Sequence, residues 1–342
     1  GLVDCHTHLA FAGWRADEFA EGALGKSYLE IARRGGGIAS TMRATRAATA
    51  AELVHLSARR LDEMLMLGVT TVEAKSGYGL DAESELKILE VYRTLERIRP
   101  ARIVPTFLGA HTIPPEYRDR RNEYIALLLE LIPQIAERGL ARCCDVFVEE
   151  SAFSIDEARQ VLLAGRAAGL LPKLHADQLT AGGGAELAAE VGAVSADHLE
   201  CASNAGIDAM AAAGVVAVSL PIASLYLRQS PMPARRFIDR GVPVAVATDF
   251  NPGSAPSSHL PLAMTLACTL QRMTPAEALK GATLYAARAV GMESQVGSLE
   301  PGKAADFAVI DAPDVDHWLY HFRANACVRT VIGGVTRWTV PC

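Results

Sequence analysis

Short apolar runs and longer amphipathic segments alternate along the chain. Apolar runs bounded by glycine, proline or polar clusters predict strands at residues 1–4, 69–74, 103–108, 145–148, 170–174, 193–196, 215–220 and 244–247. Apolar positions at helical spacing predict helices between them, among others at residues 51–67, 82–97, 124–138, 155–168 and 184–191. This alternation predicts βα units and a parallel sheet.

Glycines mark the ends of the predicted helices. A glycine follows a helical run and precedes a strand at positions 68, 139, 169, 192, 214 and 241, as expected where a helix ends in left-handed backbone. Eight repeats of the unit close a barrel. The predicted fold class is therefore α/β, a (β/α)8 TIM-like barrel that occupies residues 1–295.

Residues 296–342 follow the barrel and carry a different pattern. A strand is predicted at 305–310, and strands at 328–332 and 335–340 form a hairpin through Gly333 and Gly334. We interpret this segment as the C-terminal part of a small β-sandwich appendage. The chain has no initial Met and enters its first strand at once. We therefore expect the appendage to be incomplete, with its partner strands in a missing N-terminal segment.

Polar residues follow nearly every predicted barrel strand. In chain order they are His6 and His8, then Lys75, Ser76 and Tyr78, then His111, then Glu149 and Glu150, then His175 and Gln178, then Asp197 and His198, and finally Asp249 and Asn251. In barrels of this kind the active site lies at the C-terminal ends of the strands. This concentration of titratable groups predicts an enzyme active site at the barrel mouth.

The first of these groups predicts a metal site. His6 and His8 are two residues apart on a strand, so both imidazoles project to the same face. With His175 and Asp249 they offer three nitrogens and one carboxylate, which leaves a coordination position for water. The alternative is a pair of histidines held by ordinary hydrogen bonds. Zinc is the default metal, and iron or manganese also suit these ligands.

Two residues near the metal are candidates for proton transfer. Asp249 can accept the proton of a bound water, whose pKa a metal lowers to ~7. His198 can act as a fifth ligand, as a group that hydrogen-bonds the water, or as a histidine of the barrel wall. A second metal bridged by a modified lysine is not supported, because Lys75 follows the second strand rather than the fourth.

Composition narrows the classes of protein. Half of the 342 residues are hydrophobic and the net charge is −6, without a basic patch, so no nucleic acid partner is expected. The sequence has no 18-residue apolar run and no leader pattern, so we expect neither a membrane partner nor secretion. Seven scattered cysteines without CxxC spacing predict reduced thiols and a cytoplasmic location.

Several strings of residues resemble a known family. Those strings are VEAKSGYGL at 72–80, FLGAH at 107–111, PPEY at 114–117, HADQL at 175–179, SADHL at 195–199, ATDFNPG at 247–253 and GSLEPGKAAD at 297–306. Together with the His-x-His pair they resemble the amidohydrolase superfamily and, within it, the imidazolonepropionase family, over essentially the whole chain. The resemblance implies a barrel of the amidohydrolase type.

The resemblance also implies an activity and a set of site residues. The family uses water to open the ring of 4-imidazolone-5-propanoate, giving N-formimidoyl-L-glutamate in histidine degradation. Its cofactor would be one divalent metal ion, Zn²⁺ or iron (Fe²⁺/Fe³⁺), and its usual assembly a homodimer. Its metal ligands fall on His6, His8, His175 and Asp249. Its substrate contacts fall on Arg15, Tyr78, His111, Gln178, Asn251, Gly253 and Ser254.

These implied roles agree with the chemistry of the substrate. A propanoate tail needs a cation and hydrogen-bond donors, which Arg15, Tyr78 and the backbone around Gly253 would supply. His111 would polarise the ring carbonyl. Catalysis would then rest on Asp249, His198 and His111.

The chain departs from the family pattern at two places. Gln178 stands where some members have Glu, and because an amide does not shuttle protons, its expected role is to orient the ring. Residues 219–224, SLPIAS, replace a stretch that contains glycine and aromatic residues in the family.

Two alternatives stay open at the level of sequence. One is a deaminase of the same superfamily acting on a nucleobase-like ring, which would need a carboxylate after the fifth strand where this chain has Gln178. The other is a non-catalytic barrel, which would be expected to have a broken set of metal ligands. All four ligand positions are filled here.

Overall fold

Eight parallel strands in chain order form the centre of the protein. The computed structural model describes residues 1–26, 30 and 34–341. The strands are β1 (Leu2–Asp4), β2 (Val69–Lys75), β3 (Arg102–Ala110), β4 (Cys143–Val148), β5 (Leu171–Ala176), β6 (Ser195–His198), β7 (Val216–Ser219) and β8 (Val244–Val246). Each predicted barrel strand is confirmed, with ends that differ by one or two residues.

Helices lie between and after the strands. Among the described residues they are α1 (Ala16–Ala23), α2 (Ile38–Ala47), α3 (Ala50–Met66), α4 (Ala82–Ile98), α5 (Arg121–Glu137), α6 (Ile155–Ala167), α7 (Gly184–Glu190), α8 (Asn204–Ala213), α9 (Pro221–Tyr226), α10 (Ala234–Asp239), α11 (Leu260–Gln271), α12 (Pro275–Gly281), α13 (Leu284–Ala289) and α14 (Val315–Tyr320). A 3₁₀ turn covers Pro115–Tyr117.

Local sequence explains where several helices begin and end. Helices α3, α6 and α12 each start with a capping box, in which a Ser or Thr and a Glu three residues later satisfy free backbone N–H groups. The six glycines predicted at helix ends all have positive φ, from 60° at Gly139 to 91° at Gly169. An L-residue with a side chain is disfavoured in this conformation, which accounts for the glycines.

The barrel is closed between β1 and β8 just beyond the ends of both strands. Thr7 and Phe250 form a parallel bridge. The His8 N–H donates to the Phe250 carbonyl at 2.8 Å, and the Asp249 N–H donates to the His6 carbonyl at 3.0 Å. The closing hydrogen bonds therefore also bring together His6, His8 and Asp249, which are far apart in the sequence.

Beside the barrel lies a small antiparallel sheet. Its strands β9 (Phe307–Ile310), β10 (Cys327–Ile332) and β11 (Val335–Thr339) are ordered β11-β10-β9. The predicted strands and hairpin are confirmed, and in the described residues the β unit is a single three-stranded antiparallel sheet. β10 is the central strand and hydrogen-bonds to β11 on one side and to β9 on the other. A domain division after residue 295 stays a prediction.

The small sheet is tied to the N-terminal ends of β2 and β3. Arg102 at the start of β3 donates to Asp306 Oδ2 at 2.7 Å. The Thr330 hydroxyl of β10 donates to the Leu65 carbonyl at 2.7 Å, at the end of α3. The sheet thus lies at the end of the barrel opposite the strand ends that carry His6 and His8.

Two expectations from composition can be compared with the structure. None of the helices in the described part of the chain is long and apolar enough to cross a membrane. Cys5, Cys143, Cys144, Cys201, Cys268 and Cys327 are all free thiols. Cys342 lies outside the described residues.

Candidate metal centre

Four predicted ligands meet at the C-terminal mouth of the barrel. His6 Nε2 and His8 Nε2 lie 3.3 and 3.5 Å from Asp249 Oδ1. The ring of His175, from β5, has its centroid 4.5 Å from that of His6. One nitrogen from each of His6, His8 and His175 falls within a mutual distance of 4.8 Å. The structure therefore brings together side chains from β1, β5 and β8 in one buried cluster.

Carboxylates behind the cluster fix the orientation of two of its histidines. His6 Nδ1 donates to Asp197 Oδ2 at 2.6 Å, and His175 Nδ1 lies 3.1 Å from Asp145 Oδ2. The Nε2 atom of His175 is buried and has no hydrogen-bond partner among the described residues, and the buried Nε2 atom of His6 faces Asp249 Oδ1 at 3.3 Å. A buried Nε2 directed at the other proposed ligands, with a carboxylate on the second ring nitrogen, is the usual arrangement of a metal-bound histidine. The residues present therefore fit a divalent transition metal.

The charges of the metal-free cluster are strongly coupled. Burial and the charge of Lys75 lower the pKa of His6, but contacts with Asp197 and Asp249 outweigh both and raise it to about 9. Burial lowers the pKa of His8 and of His175 below the ordinary value of an imidazole. Burial raises the pKa of Asp249, but hydrogen bonds from His6 and His8 hold it well below its usual range.

Two residues of the mouth have unusual backbone conformations. Asp249 has φ of 55° and His198 has φ of 79°, in the left-handed region that residues with side chains rarely adopt. Such conformations cost about 1–3 kcal/mol each and are concentrated at functional sites. His198 is the last residue of β6, and Asp249 follows the end of β8 by three residues.

His198 lies beside the cluster. Its ring centroid is 5.4 Å from His175 and 5.7 Å from His6. One ring nitrogen also falls within 4.8 Å of ligand atoms of His6 and Asp249. Its Nδ1 lies 3.8 Å from Glu200 Oε2, and both atoms are buried. This position is compatible with the expected roles of fifth ligand and of hydrogen-bond partner to a bound water.

Below the cluster lies a group of buried charges, of which the sequence pattern had indicated only Lys75 and Asp197 as strand-end residues of the site. Its members are Glu73, Lys75, Asp145, Lys173 and Asp197, all with fully buried side chains. Burial lowers the pKa of Lys75, but the surrounding carboxylates outweigh it and raise that pKa well above its ordinary value. A charged residue inside an otherwise apolar barrel strand was the available signal, because such residues are rarely buried without a partner.

The residues expected after β4 do not point into the cluster. Glu149 accepts from the Leu179 N–H at 2.6 Å and from the Thr180 hydroxyl at 2.8 Å, so it holds the loop after β5. Glu150 is exposed. The carboxylate that β4 contributes is Asp145, two residues into the strand.

Arg15 lies at the outer side of the mouth, against Gly253. Its side chain is buried, and its Nη1 lies 3.9 Å from Glu18 Oε2, but neither Nε nor Nη1 makes a hydrogen bond among the described residues. A Cβ atom on Gly253 would lie 1.4 Å from Arg15 Nη2, so this glycine makes room for the guanidinium. A buried guanidinium with unused donors is a site for an anionic group.

Asn251 shapes the loop that carries Gly253 and Ser254. Its Nδ2 donates to the Asp249 carbonyl at 2.6 Å and to Ser254 Oγ at 2.9 Å. Its Oδ1 accepts the Gly253 and Ser254 N–H groups, both at 2.8 Å. The backbone donors expected to face the substrate at Gly253 are thus used within the loop, and Arg15 is left as the donor at this side.

Two further predicted residues line the mouth. His111 stacks on His8 with ring centroids 5.1 Å apart, and Tyr78 lies 5.4 Å from His111. His111 Nδ1 donates to the Gly77 carbonyl at 2.9 Å. Burial lowers the pKa of His111 to about 3. In the neutral ring, Nε2 is therefore a hydrogen-bond acceptor.

Gln178 is half-buried in the loop three residues after His175. Its backbone carbonyl accepts a hydrogen bond from the Cys201 thiol at 3.7 Å. The altered segment 219–224 is also near the cluster. Its Ser224 hydroxyl donates to Glu200 Oε1 at 2.8 Å, and Glu200 is the residue beside His198.

Comparisons with known proteins identify the family of the chain. Residues 148–337 match the model of the Amidohydrolase family. The imidazolonepropionase of Geobacillus thermodenitrificans is 52% identical over 335 residues, which cover 98% of this chain and 79% of that protein. The imidazolonepropionase of Myxococcus xanthus is 52% identical over 323 residues, which cover 94% of this chain and 76% of that protein.

Solved structures share the fold at low sequence identity. A 5-methylcytosine deaminase from Klebsiella pneumoniae superposes with a TM-score of 0.79 at 15% identity, over 100% of this chain and 86% of that one. A zinc-bound adenosine deaminase from Xanthomonas campestris gives 0.73 at 21% identity, over 99% and 80%. The chain belongs to the amidohydrolase family, because residues 148–337, more than half of its length, match the model of that family. Within that family it is one of the imidazolonepropionases, as half of its residues are identical to theirs over nearly its whole length.

Proposed function

We propose that the protein uses water to open the ring of 4-imidazolone-5-propanoate and forms N-formimidoyl-L-glutamate. The observation that carries this proposal is a pairing of two features at one barrel mouth. One is a buried cluster of His6, His8, His175 and Asp249, in which His175 Nε2 has no hydrogen-bond partner among the described residues. The other is the buried guanidinium of Arg15 with unused donors. The first suits hydrolysis of an amide-like bond, and the second suits a substrate with a carboxylate.

His6, His8, His175 and Asp249 would hold one divalent metal ion, which we propose to be zinc or iron. When bound, such an ion lowers the pKa of a water to ~7 and polarises a carbonyl oxygen. Asp145 and Asp197 support this arrangement, because they keep the Nδ1 protons of His175 and His6 in place and leave Nε2 for the ion.

Asp249 and His198 are the proposed acceptors of the proton that the attacking water loses. Asp249 Oδ2 lies 3.5 Å from the Ser254 hydroxyl, which helps to fix the carboxylate. His198, at the end of β6, lies beside His6 and His175. The accepted proton must then reach the ring nitrogen that leaves when the C–N bond breaks. Gln178 does not donate this proton, because an amide has no proton to transfer at neutral pH.

The remaining residues would bind and orient the substrate. Arg15 would pair with the propanoate carboxylate, while Asn251, Gly253 and Ser254 form the loop that gives Arg15 its space. His111 donates its Nδ1 proton to the Gly77 carbonyl, so its Nε2 atom would accept a hydrogen bond from a ring N–H of the substrate. Only a protonated His111 would polarise the substrate carbonyl. Tyr78 and Gln178 would complete the walls around the ring.

The proposed reaction is tested by following the ultraviolet absorbance of imidazolone propanoate with metal-loaded protein. We expect the absorbance to decay at a rate proportional to enzyme concentration and formimidoylglutamate to accumulate in equal amount. An unchanged absorbance would exclude the proposed substrate. Release of ammonia from a panel of purines and pyrimidines, without decay of the imidazolone, would favour the deaminase alternative instead.

We also propose the identity of the bound ion, the oligomeric state of the protein and its location in the cell. The bound ion, zinc or iron, is identified by elemental analysis of protein purified without added metal. We propose a homodimer, for which light scattering should give twice the mass of the chain. A cytoplasmic location is proposed because the six described cysteines are free thiols. Disulfide formation in the isolated native protein would contradict it.

A further inference from the structure

A lysine and three carboxylates meet beneath the metal ligands, where no water reaches. The Lys75 ammonium donates to Glu73 Oε1 at 2.8 Å and to Asp145 Oδ2 at 2.7 Å, and it lies 3.5 Å from Asp197 Oδ2. All four side chains are fully buried. An ammonium in such a position is retained only where its carboxylate partners compensate for lost hydration.

Lys75 contacts the two carboxylates that hold the metal-binding histidines. Asp197 accepts from His6 Nδ1 at 2.6 Å, and Asp145 lies 3.1 Å from His175 Nδ1. The single ammonium therefore connects the supports of two ligands that come from β1 and β5. A shift of Lys75 would release both carboxylates at once, and with them the orientation of both rings.

Two carboxylates in the same place could hold a second cation. Glu73 and Asp197 each have an oxygen within 4.8 Å of the other and of a His6 nitrogen. His6 keeps its Nδ1 proton on Asp197 and offers Nε2 to the first ion, so the carboxylates are the groups open to a second one. Glu73 Oε2 is buried with no hydrogen-bond partner among the described residues. The Lys75 ammonium touches both carboxylates. It thus lies where a second ion would bind.

We propose that Lys75 is a positioning residue of the metal centre. Its ammonium takes the place of a second cation, holds Asp145 and Asp197 against His175 and His6, and limits the site to one ion. This inference rests on the proposed metal-dependent function but makes its own predictions, because they concern metal binding and not turnover.

The first test compares zinc affinity, measured by competition with a chelator, in Lys75→Met and in Lys173→Met. Loss of a residue that supports metal ligands lowers affinity by about 10–100-fold, and we expect this for Lys75→Met. Lys173→Met also removes a buried ammonium that lies 3.5 Å from Asp197 Oδ2, but this ammonium donates to Ser195 Oγ and the Ala289 carbonyl. Because Lys75 holds Asp145 as well as Asp197, a smaller loss is expected in Lys173→Met. Equal affinity in Lys75→Met and wild type, or an equal loss in both variants, would overturn the proposal.

The second test measures metal stoichiometry with excess Zn²⁺ or Mn²⁺ alone. We expect one ion per chain in the wild type and two in Lys75→Ala, where the ammonium is gone and the carboxylates remain. Circular dichroism reports whether each variant is folded. If neither Lys75 variant folds, the wild-type measurement decides, since a second tightly bound equivalent in the wild type contradicts the proposal. Failure of imidazolone turnover with these results intact would reject the proposed function and leave this inference standing.

Discussion

His175, one of the proposed metal ligands, has different surroundings at its two ring nitrogens. Its Nδ1 faces Asp145, whereas its Nε2 is buried without a hydrogen-bond partner in the described chain. An unsatisfied buried nitrogen costs about 1–3 kcal/mol, a cost that a bound metal ion would remove. The surroundings of a single histidine therefore already favour a bound metal ion.

Substitution of a single ligand should abolish metal binding and activity together. We expect His175→Ala to lose its stoichiometric metal and its ring-opening rate, because two histidines and one carboxylate remain. His55, exposed on α3, provides the matched control, and His55→Ala should retain both. Elemental analysis and the absorbance assay on the same samples measure the effect. Full activity in metal-free His175→Ala would refute the assigned role.

Arg15 and Gly253 should affect substrate binding more than chemistry. Loss of a hydrogen bond to a charged group costs about 1.5–3 kcal/mol, so Arg15→Ala should raise KM about 10- to 100-fold with a smaller effect on kcat. Gly253→Ala should also raise KM, because the new methyl group displaces the guanidinium. In the double variant the two effects should not add. Additive effects, or an unchanged KM in Arg15→Ala, would separate Arg15 from the carboxylate.

The pKa of His6 predicts how metal binding depends on pH. In the metal-free cluster this pKa is raised to about 9, so His6 is protonated at neutral pH and the ion must displace that proton. The pKa values of His8 and His175 are lowered, so those rings are already neutral. Metal affinity should therefore rise with pH up to about 9.

Calorimetry at pH 6.5 in buffers of different ionisation enthalpy measures this proton directly. We expect one proton released per ion bound. A release near zero would mean that His6 is neutral before the metal binds, and a release of two or more would mean that a second ligand is protonated too.

At the scale of elements, the barrel strands were the most predictable part of the protein. Each was found within one or two residues, because a buried parallel strand is a nearly continuous apolar run and glycine ends the preceding helix. The partners of the ligands were not predictable. His6 and Asp197 are 191 residues apart, and only the registers of eight strands bring them together. The sequence pattern placed Asp145 at the start of a predicted strand but not beside His175, because that contact also depends on strand register.

The small sheet should contribute to stability and not to catalysis. Asp306 accepts from Arg102 at 2.7 Å and from the Gly333 N–H at 2.7 Å, which joins the sheet to β3. We expect Asp306→Ala to lower the free energy of unfolding by about 1.5–3 kcal/mol and to leave kcat and KM unchanged.

Urea denaturation measures the effect of Asp306→Ala. The exposed Arg159, paired with Asp156 and Glu190 at the surface, is the control, and its replacement by Ala should change stability little. A change of kcat in Asp306→Ala that exceeds the change in folded fraction would contradict a purely structural role.

At the scale of the whole molecule, one barrel mouth collects residues from nearly the full length of the chain. Its ligands extend from His6 to Asp249, and the identity with imidazolonepropionases extends over 98% of the chain. The His-x-His pair alone predicted a metal. The order of the strands added His175 and Asp249, and the structure added the carboxylates and the lysine that hold them.

The decisive experiment is a titration of metal-free protein with zinc or ferrous ion, in which bound metal and imidazolone ring opening are measured on the same samples. We expect the rate to rise in proportion to bound metal and to become constant at one ion per chain. A rate that is independent of bound metal, or no decay of imidazolone propanoate at full occupancy, would contradict metal-dependent ring opening of this substrate.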